Sequence, residues 1–332
     1  MMRTIRAIPF LLLGLNSISF PQSKVGTVAV PFLQVGVSSR SAGLGDAMVA
    51  NGAEISAIYW NPALAASLEK SQAYFNHTTW FADIDLNYGA VMLNFDDVGH
   101  VGLSFYALNS GQLEVTTEER PDGTGELFTV QDLMLGLTYS RSLTDRFNIG
   151  GTLKLIRSAL WNMSASSIAA DIGLTYRTPF NPITLGMSIS NFGGEMRMSG
   201  TNTAVRYDPD PRVRGNNDGI IADLRTRAWD LPVTFRFGLA YQLMNTRYHK
   251  IVVNSDVLYP NNNDNYANAG IEYGLSNMFF LRGGYRQIML DEAEGGVAFG
   301  VGFRYHNFQL DYAYTDRGRL NTPQYFSLCV SF

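Results

Sequence analysis

Strict two-residue alternation constrains this chain more than any other feature in it. In VAFGVGFRY, residues Val297, Phe299, Val301, Phe303 and Tyr305 fall on one side of an extended chain, with Ala298, Gly300, Gly302 and Arg304 on the other. Strand side chains point alternately to opposite faces, so one face is oily and the other small or charged. The oily series ends in a tyrosine before a two-residue turn, His306-Asn307, and the next strand opens with Phe308 on the same side. A sheet made of such units presents a lipid-facing surface with an aromatic border.

Composition excludes the competing classes. Of 332 residues only 16% are charged and 12% are aromatic, yet mean hydropathy is near zero. A helical membrane protein needs apolar runs of about 18 residues or more, which the chain after its first 22 residues lacks. A barrel hides its membrane signal in alternation, so neutral hydropathy suits it. The net charge of −4 leaves no basic footprint for nucleic acid. A single cysteine, Cys329, excludes an internal disulfide framework. Arg3 and Arg6 before the apolar run 8–15, then Ser17 and Ser19, read as an export signal over residues 1–22. Export and alternation together place the chain in the outer membrane of a Gram-negative cell.

Residues 23–70 do not alternate. Asn51 and Glu54 have the spacing of a capping box. Asn61-Pro62 sets a good N-cap residue before the residue favoured at the first helical position, opening a short helix through Leu68. Two or three short helices are expected in a compact segment, since a flexible linker has no use for Ile55, Ile58, Tyr59 and Trp60.

Residues 71–332 carry the alternation in about fourteen strands, at 72–80, 84–95, 99–108, 128–140, 147–158, 167–178, 183–192, 231–243, 248–259, 266–275, 279–288, 297–305, 308–315 and 324–332. Turns after even-numbered strands are short, such as 143–146, 179–182, 245–247 and 276–278, whereas 109–127 and 193–230 after odd-numbered ones are long. Short periplasmic turns and long outer loops are the build of outer-membrane barrels. Phe95, Tyr139, Tyr176, Tyr241, Tyr273, Tyr305 and Phe332 end the downward strands, and Phe147, Phe279 and Phe308 open the upward ones, all in phase with the apolar residues. A soluble β-sandwich does not require such a ring.

The opposite parity faces the lumen and carries Asp132, Lys154, Asp171, Arg177, Arg236, Asn254, Asp256, Asn268, Glu272, Arg282, Arg286, Arg304, Gln309 and Asp311. Both signs are interspersed, so these groups can pair across strands or hold the charges Arg40, Asp46 and Glu54. A bore of about fourteen strands is too wide for wall side chains to close. Residues 23–70 are therefore expected inside it as a short-helical plug, with Gly36, Gly43, Gly45 and Gly52 suited to close packing.

Residues 38–68, SSRSAGLGDAMVANGAEISAIYWNPALAASL, resemble the N-terminal motif of the PorV/PorQ family and, more distantly, the hatch of FadL-type transporters. Arg40, Ala42, Gly45, Asp46, Ala47, Ala57, Trp60, Asn61, Pro62, Ala63 and Leu64 carry the pattern, and the closing stretch around Asp311, Tyr312, Ala313 and Tyr314 is similar to that family's last hairpin. The final strand, with Phe326, Leu328, Val330 and Phe332 outward, resembles the C-terminal insertion signature of outer-membrane barrels. The resemblance implies a plugged barrel working beside the type IX secretion machinery, receiving secreted proteins with C-terminal sorting domains as partners. A FadL-like passive path for hydrophobic small molecules is the alternative. No GxSxG, HExxH or cysteine cluster occurs, so neither an enzyme nor a cofactor is expected.

Overall fold

The computed structural model describes residues 25–332 except 53, 97, 180, 181, 211, 213–218, 291, 292, 294 and 319–321. The expected export signal at 1–22 and two positions of the 179–182 turn therefore lie outside the described residues.

Fourteen long strands form the wall: β1 (Gln72–Thr79), β2 (Asp85–Phe95), β3 (Gly99–Asn109), β4 (Val130–Thr144), β5 (Phe147–Leu160), β6 (Met163–Arg177) and β7 (Ile183–Gly193), then β8 (Thr234–Asn245), β9 (His249–Pro260), β10 (Tyr266–Leu275), β11 (Phe279–Ile288), β12 (Val297–Tyr305), β13 (Phe308–Thr315) and β14 (Gln324–Ser331). Each pairs antiparallel with its sequence neighbours, and β1 pairs with β14 from Gln72 opposite Ser331 to Thr79 opposite Gln324. The sheet thus closes on itself. Closure leaves no free edge, which hydrocarbon requires because it offers backbone groups no partner. No helix among the described residues is long and apolar enough to cross a membrane.

Burial follows parity. Along β4 the even-numbered residues Asp132 to Ser140 are buried and the odd-numbered ones exposed, and β12 alternates likewise. Leu103, Leu153, Ile168 and Phe299 are each at least 60% exposed on the outer face. Such an apolar belt is far larger than a water-soluble surface tolerates, and it matches a bilayer. Phe95, Tyr139, Tyr176, Tyr241, Tyr305, Phe332, Phe279 and Phe308 are exposed at the short-turn rim as expected; Phe147 and Tyr273 are half-buried. The Tyr273 hydroxyl lies 2.8 Å from His249 Nδ1.

Strand bounds differ from expectation at a few ends. β6 begins at Met163 rather than 167, since MSAS pairs with β5 although it shows no apolar alternation. β8 begins at Thr234 rather than 231, after Pro232, which has no N–H for the ladder. The outer loops add two small hairpins, Leu113–Glu114 with Leu127–Phe128 and Ala204–Tyr207 with Ile220–Asp223.

From Val30 to Leu68 the N-terminal segment is buried almost throughout, although it belongs to no strand. One short α-helix, α1 (Ser39–Gly43), starts at Ser38, whose hydroxyl accepts from the Ser41 N–H. 3-10 turns follow at Ile55–Tyr59 and Pro62–Ser67. Asn61 caps the second, its side chain accepting from the Ala63 N–H. Asn51 caps nothing, contrary to the capping-box reading: its carbonyl accepts from Arg40 and its amide donates to Asn254. Residue 54 is itself the N-cap position and makes no side-chain cap.

Candidate functional site: the filled bore

The inner wall has two unlike halves. On β1 to β5, inward positions hold Tyr74, Tyr88, Met92, Tyr106, Met134 and Ile156, all buried. On β8 to β13 they hold mainly charge and amide. The N-terminal segment matches each half in kind. Tyr59 packs edge-on against Trp60 (5.0 Å between centroids), Tyr88 (6.2 Å) and Tyr106 (5.9 Å), and Phe32 lies 5.0 Å from Tyr106. The Tyr59 hydroxyl has its one proton between the carbonyls of Leu33 (2.6 Å) and Val35 (3.0 Å), so its polar end is satisfied inside the cluster.

On the charged half, Arg40 of α1 makes a forked pair with Glu272 of β10, Nε to Oε2 and Nη2 to Oε1, both at 2.8 Å. Glu272 Oε2 also accepts from Arg282 Nε at 2.8 Å, and Arg282 Nη1 reaches Asp311 on β13. Gln309 donates to Asp311 at 2.6 Å and to Glu54 at 3.1 Å, while its carbonyl accepts from Arg304. A continuous polar network therefore runs from the segment through β10, β11, β12 and β13. Burial works against the Arg40 charge, but Glu272 more than offsets it and holds the guanidinium above its ordinary pKa. Glu54 is pushed the other way, up from the ordinary carboxyl range, by burial first and by neighbouring Asp311 second.

Two further anchors hold the turn between these halves. Asp46, at φ 61°, meets Arg286 of β11 at 3.0 Å. Asp256 of β9 accepts the backbone N–H groups of Met48 (2.7 Å) and Val49 (3.0 Å). Gly45, at φ +64°, fits against the Tyr285 backbone, where a Cβ would stand 2.8 Å away. Asn61 donates to Val49 (2.9 Å) and to Leu174 of β6 (3.0 Å). Ser188 of β7 donates to the Trp60 carbonyl at 2.6 Å, and Pro62 backs onto Gly150 of β5.

The structure thus brings Arg40, Gly45, Asp46, Trp60, Asn61 and Pro62 against the wall at separate points. Asp171 pairs with Lys154 at 2.6 Å and Arg236 with Ser190, away from the Glu272 network. Arg177 has inward parity but stands exposed at the mouth, because the wall ends there. The sequence reading missed Asn191: a bulge at φ 61° lets it accept from Lys154 (2.8 Å) and donate its N–H to Asp171 (2.7 Å). A register shift between Ala170 and Ile172 marks that bulge, and no local motif announces it. Among the described residues no cluster of His, Cys, Asp or Glu is arranged to hold a metal ion.

A closed fourteen-stranded antiparallel barrel with an oily outer face is the build of an outer-membrane barrel, and here an N-terminal segment is folded into its bore. Solved structures share the fold. They include the Pseudomonas putida toluene transporter TodX (14% identity, 89% of this chain and 97% of that one, TM-score 0.59). The CymD monoaromatic hydrocarbon channel aligns at 11% identity over 90% and 98%, with a TM-score of 0.59. A Pseudomonas aeruginosa FadL homologue aligns at 15% over 90% and 99%, with a TM-score of 0.52. The chain belongs to the PorV family: the family profile described as type IX secretion system protein PorV matches residues 19–260. No curated protein matches it.

Proposed function

We propose that this outer-membrane barrel is a non-enzymatic binding component of type IX secretion, engaging secreted proteins through its outer loops. In this reading residues 1–22 are a cleaved export signal and residues 23–70 are a plug. The observation that carries it is the pinning of the N-terminal segment on both halves of the inner wall, through Tyr59 on one side and Arg40–Glu272 on the other. Docking at separate points favours a filled bore and leaves the work of recognition to the exterior. The long connection 194–233 offers contact surface: its hairpin is exposed on both faces, with Tyr207 54% and Ile221 75% exposed. Membership of the PorV family supplies the secretion context.

The test is affinity capture from native outer membranes. Recovery of secreted proteins sharing a C-terminal β-domain, lost when the 204–223 hairpin is replaced by a short Gly-Ser turn, supports the reading. Capture that ignores the hairpin, or returns no such proteins, contradicts it. A second reading, passage of hydrophobic small molecules, draws on the aromatic half of the bore and on the shared fold of a toluene transporter. Hydrophobic ligand retained in the lumen after mild detergent extraction would favour it.

A further inference from the structure

At the short-turn end the bore opens into two hollows that meet at Gly52, Ser67 and Lys250. The larger, about 880 Å³, lies under the ends of β4 to β9; the smaller, about 400 Å³, lies under β12, β13, β14 and β1. Arg146, Arg177 and Lys250 line the first, and Lys250, Arg304 and Lys70 the second. Among the described residues none of these five cations belongs to an ion pair. The acids nearby are fewer: Asp145, Glu69 and Glu54, the last already hydrogen-bonded to Ser56 and Gln309. Arg304 is bonded to the neutral Gln309 and Lys70 to Asn307, so a chain of net charge −4 gathers five cations against three acids in one recess at the short-turn end, the periplasmic side of outer-membrane barrels.

We infer that this vestibule is a docking site for an acidic peptide segment of a periplasmic protein. The charges are spread over two joined hollows rather than converging on one point, which suits carboxylates spaced along a chain better than a single small anion. Between the cations stand neutral hydrogen-bonding side chains, Asn148, Thr175, Thr184 and Gln242, able to serve peptide groups. A phospholipid fits less well, because these polar walls give its acyl chains nothing to cover and the strands separate the recess from hydrocarbon. Partly enclosed charges act through a lower effective dielectric than an open surface, so each cation counts for more here than at the rim. The inference does not depend on what the outer loops bind.

The experiment uses the purified full-length protein in neutral detergent and fluorescently labelled hexaglutamate, with hexaglutamine as the uncharged control, followed by anisotropy. Hexaglutamate should bind, weaken as salt rises, and lose about tenfold in affinity in a Lys250→Gln, Arg177→Gln double variant. Arg141→Gln, an exposed arginine of outward parity on β4, should leave binding unchanged. Heat-dependent gel mobility checks that each variant is folded. Equal binding of the two peptides, no binding, or a loss in Arg141→Gln as large as in the double variant overturns the proposal.

Discussion

Arg40 and Glu272, 232 positions apart in sequence, form a two-bonded pair at 2.8 Å with side chains only 4% and 6% exposed. Glu272 is shared, since Arg282 bonds the same carboxylate. Removing one partner of a buried pair leaves an uncompensated charge and costs about 3–5 kcal/mol. Glu272→Gln strands Arg40 and leaves Arg282 with Asp311 as its one remaining carboxylate, whereas Arg40→Met leaves Glu272 still paired with Arg282. Thermal unfolding in detergent should therefore show a larger drop for Glu272→Gln than for Arg40→Met. The reverse order would mean that the segment, not the wall, depends on this carboxylate.

Two wall glycines make room for the segment's turn. A Cβ on Gly270 would run into the Leu44 carbonyl, and one on Gly284 into the Gly45 N–H. Gly270→Ala with Gly284→Ala should push that turn off β10 and β11 while the ladder between these strands survives. Limited proteolysis checks it: cleavage within 30–68 should speed up while the barrel fragment stays intact. Unchanged cleavage would place the turn elsewhere.

The outer face should tolerate charge according to depth. Leu137, at the middle of β4 and 50% exposed, faces hydrocarbon; Phe308, at the start of β13 and 56% exposed, faces the interface. Leu137→Arg should destabilise folding into lipid vesicles by about 2–4 kcal/mol, and Phe308→Arg by about 0–1 kcal/mol from the charge itself. Denaturant titration in vesicles measures both.

Glu54 supplies a pH dependence of known sign. Its folded-state pKa lies above the ordinary value, through burial first and Asp311 second, so the folded state binds its proton more tightly than the unfolded chain. The associated stability is present in full below the unfolded pKa and is lost as pH rises through the folded one. Glu54→Gln removes that dependence. The variant should gain melting temperature over wild type at pH values above the folded pKa and lose most of that gain as pH falls to the unfolded carboxyl value of about 4.3. A difference independent of pH would assign Glu54 an ordinary environment.

Much of the wall was legible because alternation is a one-dimensional record of which face a residue takes. Val297–Tyr305 carries its lipid face, its inner face and its rim tyrosine in nine consecutive letters. The start of β6 was not legible, since Ser164, Ala165 and Ser166 are too alike in polarity to show parity. The aromatic half of the bore was hidden for a related reason. Tyr88, Ala90 and Met92 face inward and Val91 and Leu93 outward, so β2 reads as apolar on both sides, the mark of a strand covered on both faces. Partnerships within the bore were beyond pattern altogether. Parity put Glu272, Arg282 and Asp311 on one face, but which of them would meet Arg40 depends on register and on the path of a segment with no period of its own.

Single-channel conductance in planar bilayers, comparing the whole protein with a variant lacking residues 25–70, addresses most directly the claim that a pinned segment fills the bore. Little steady current should pass through the intact protein and a stable open conductance should appear after deletion, with the barrel still folded by heat-dependent mobility. Equal conductance from the two folded proteins would contradict it.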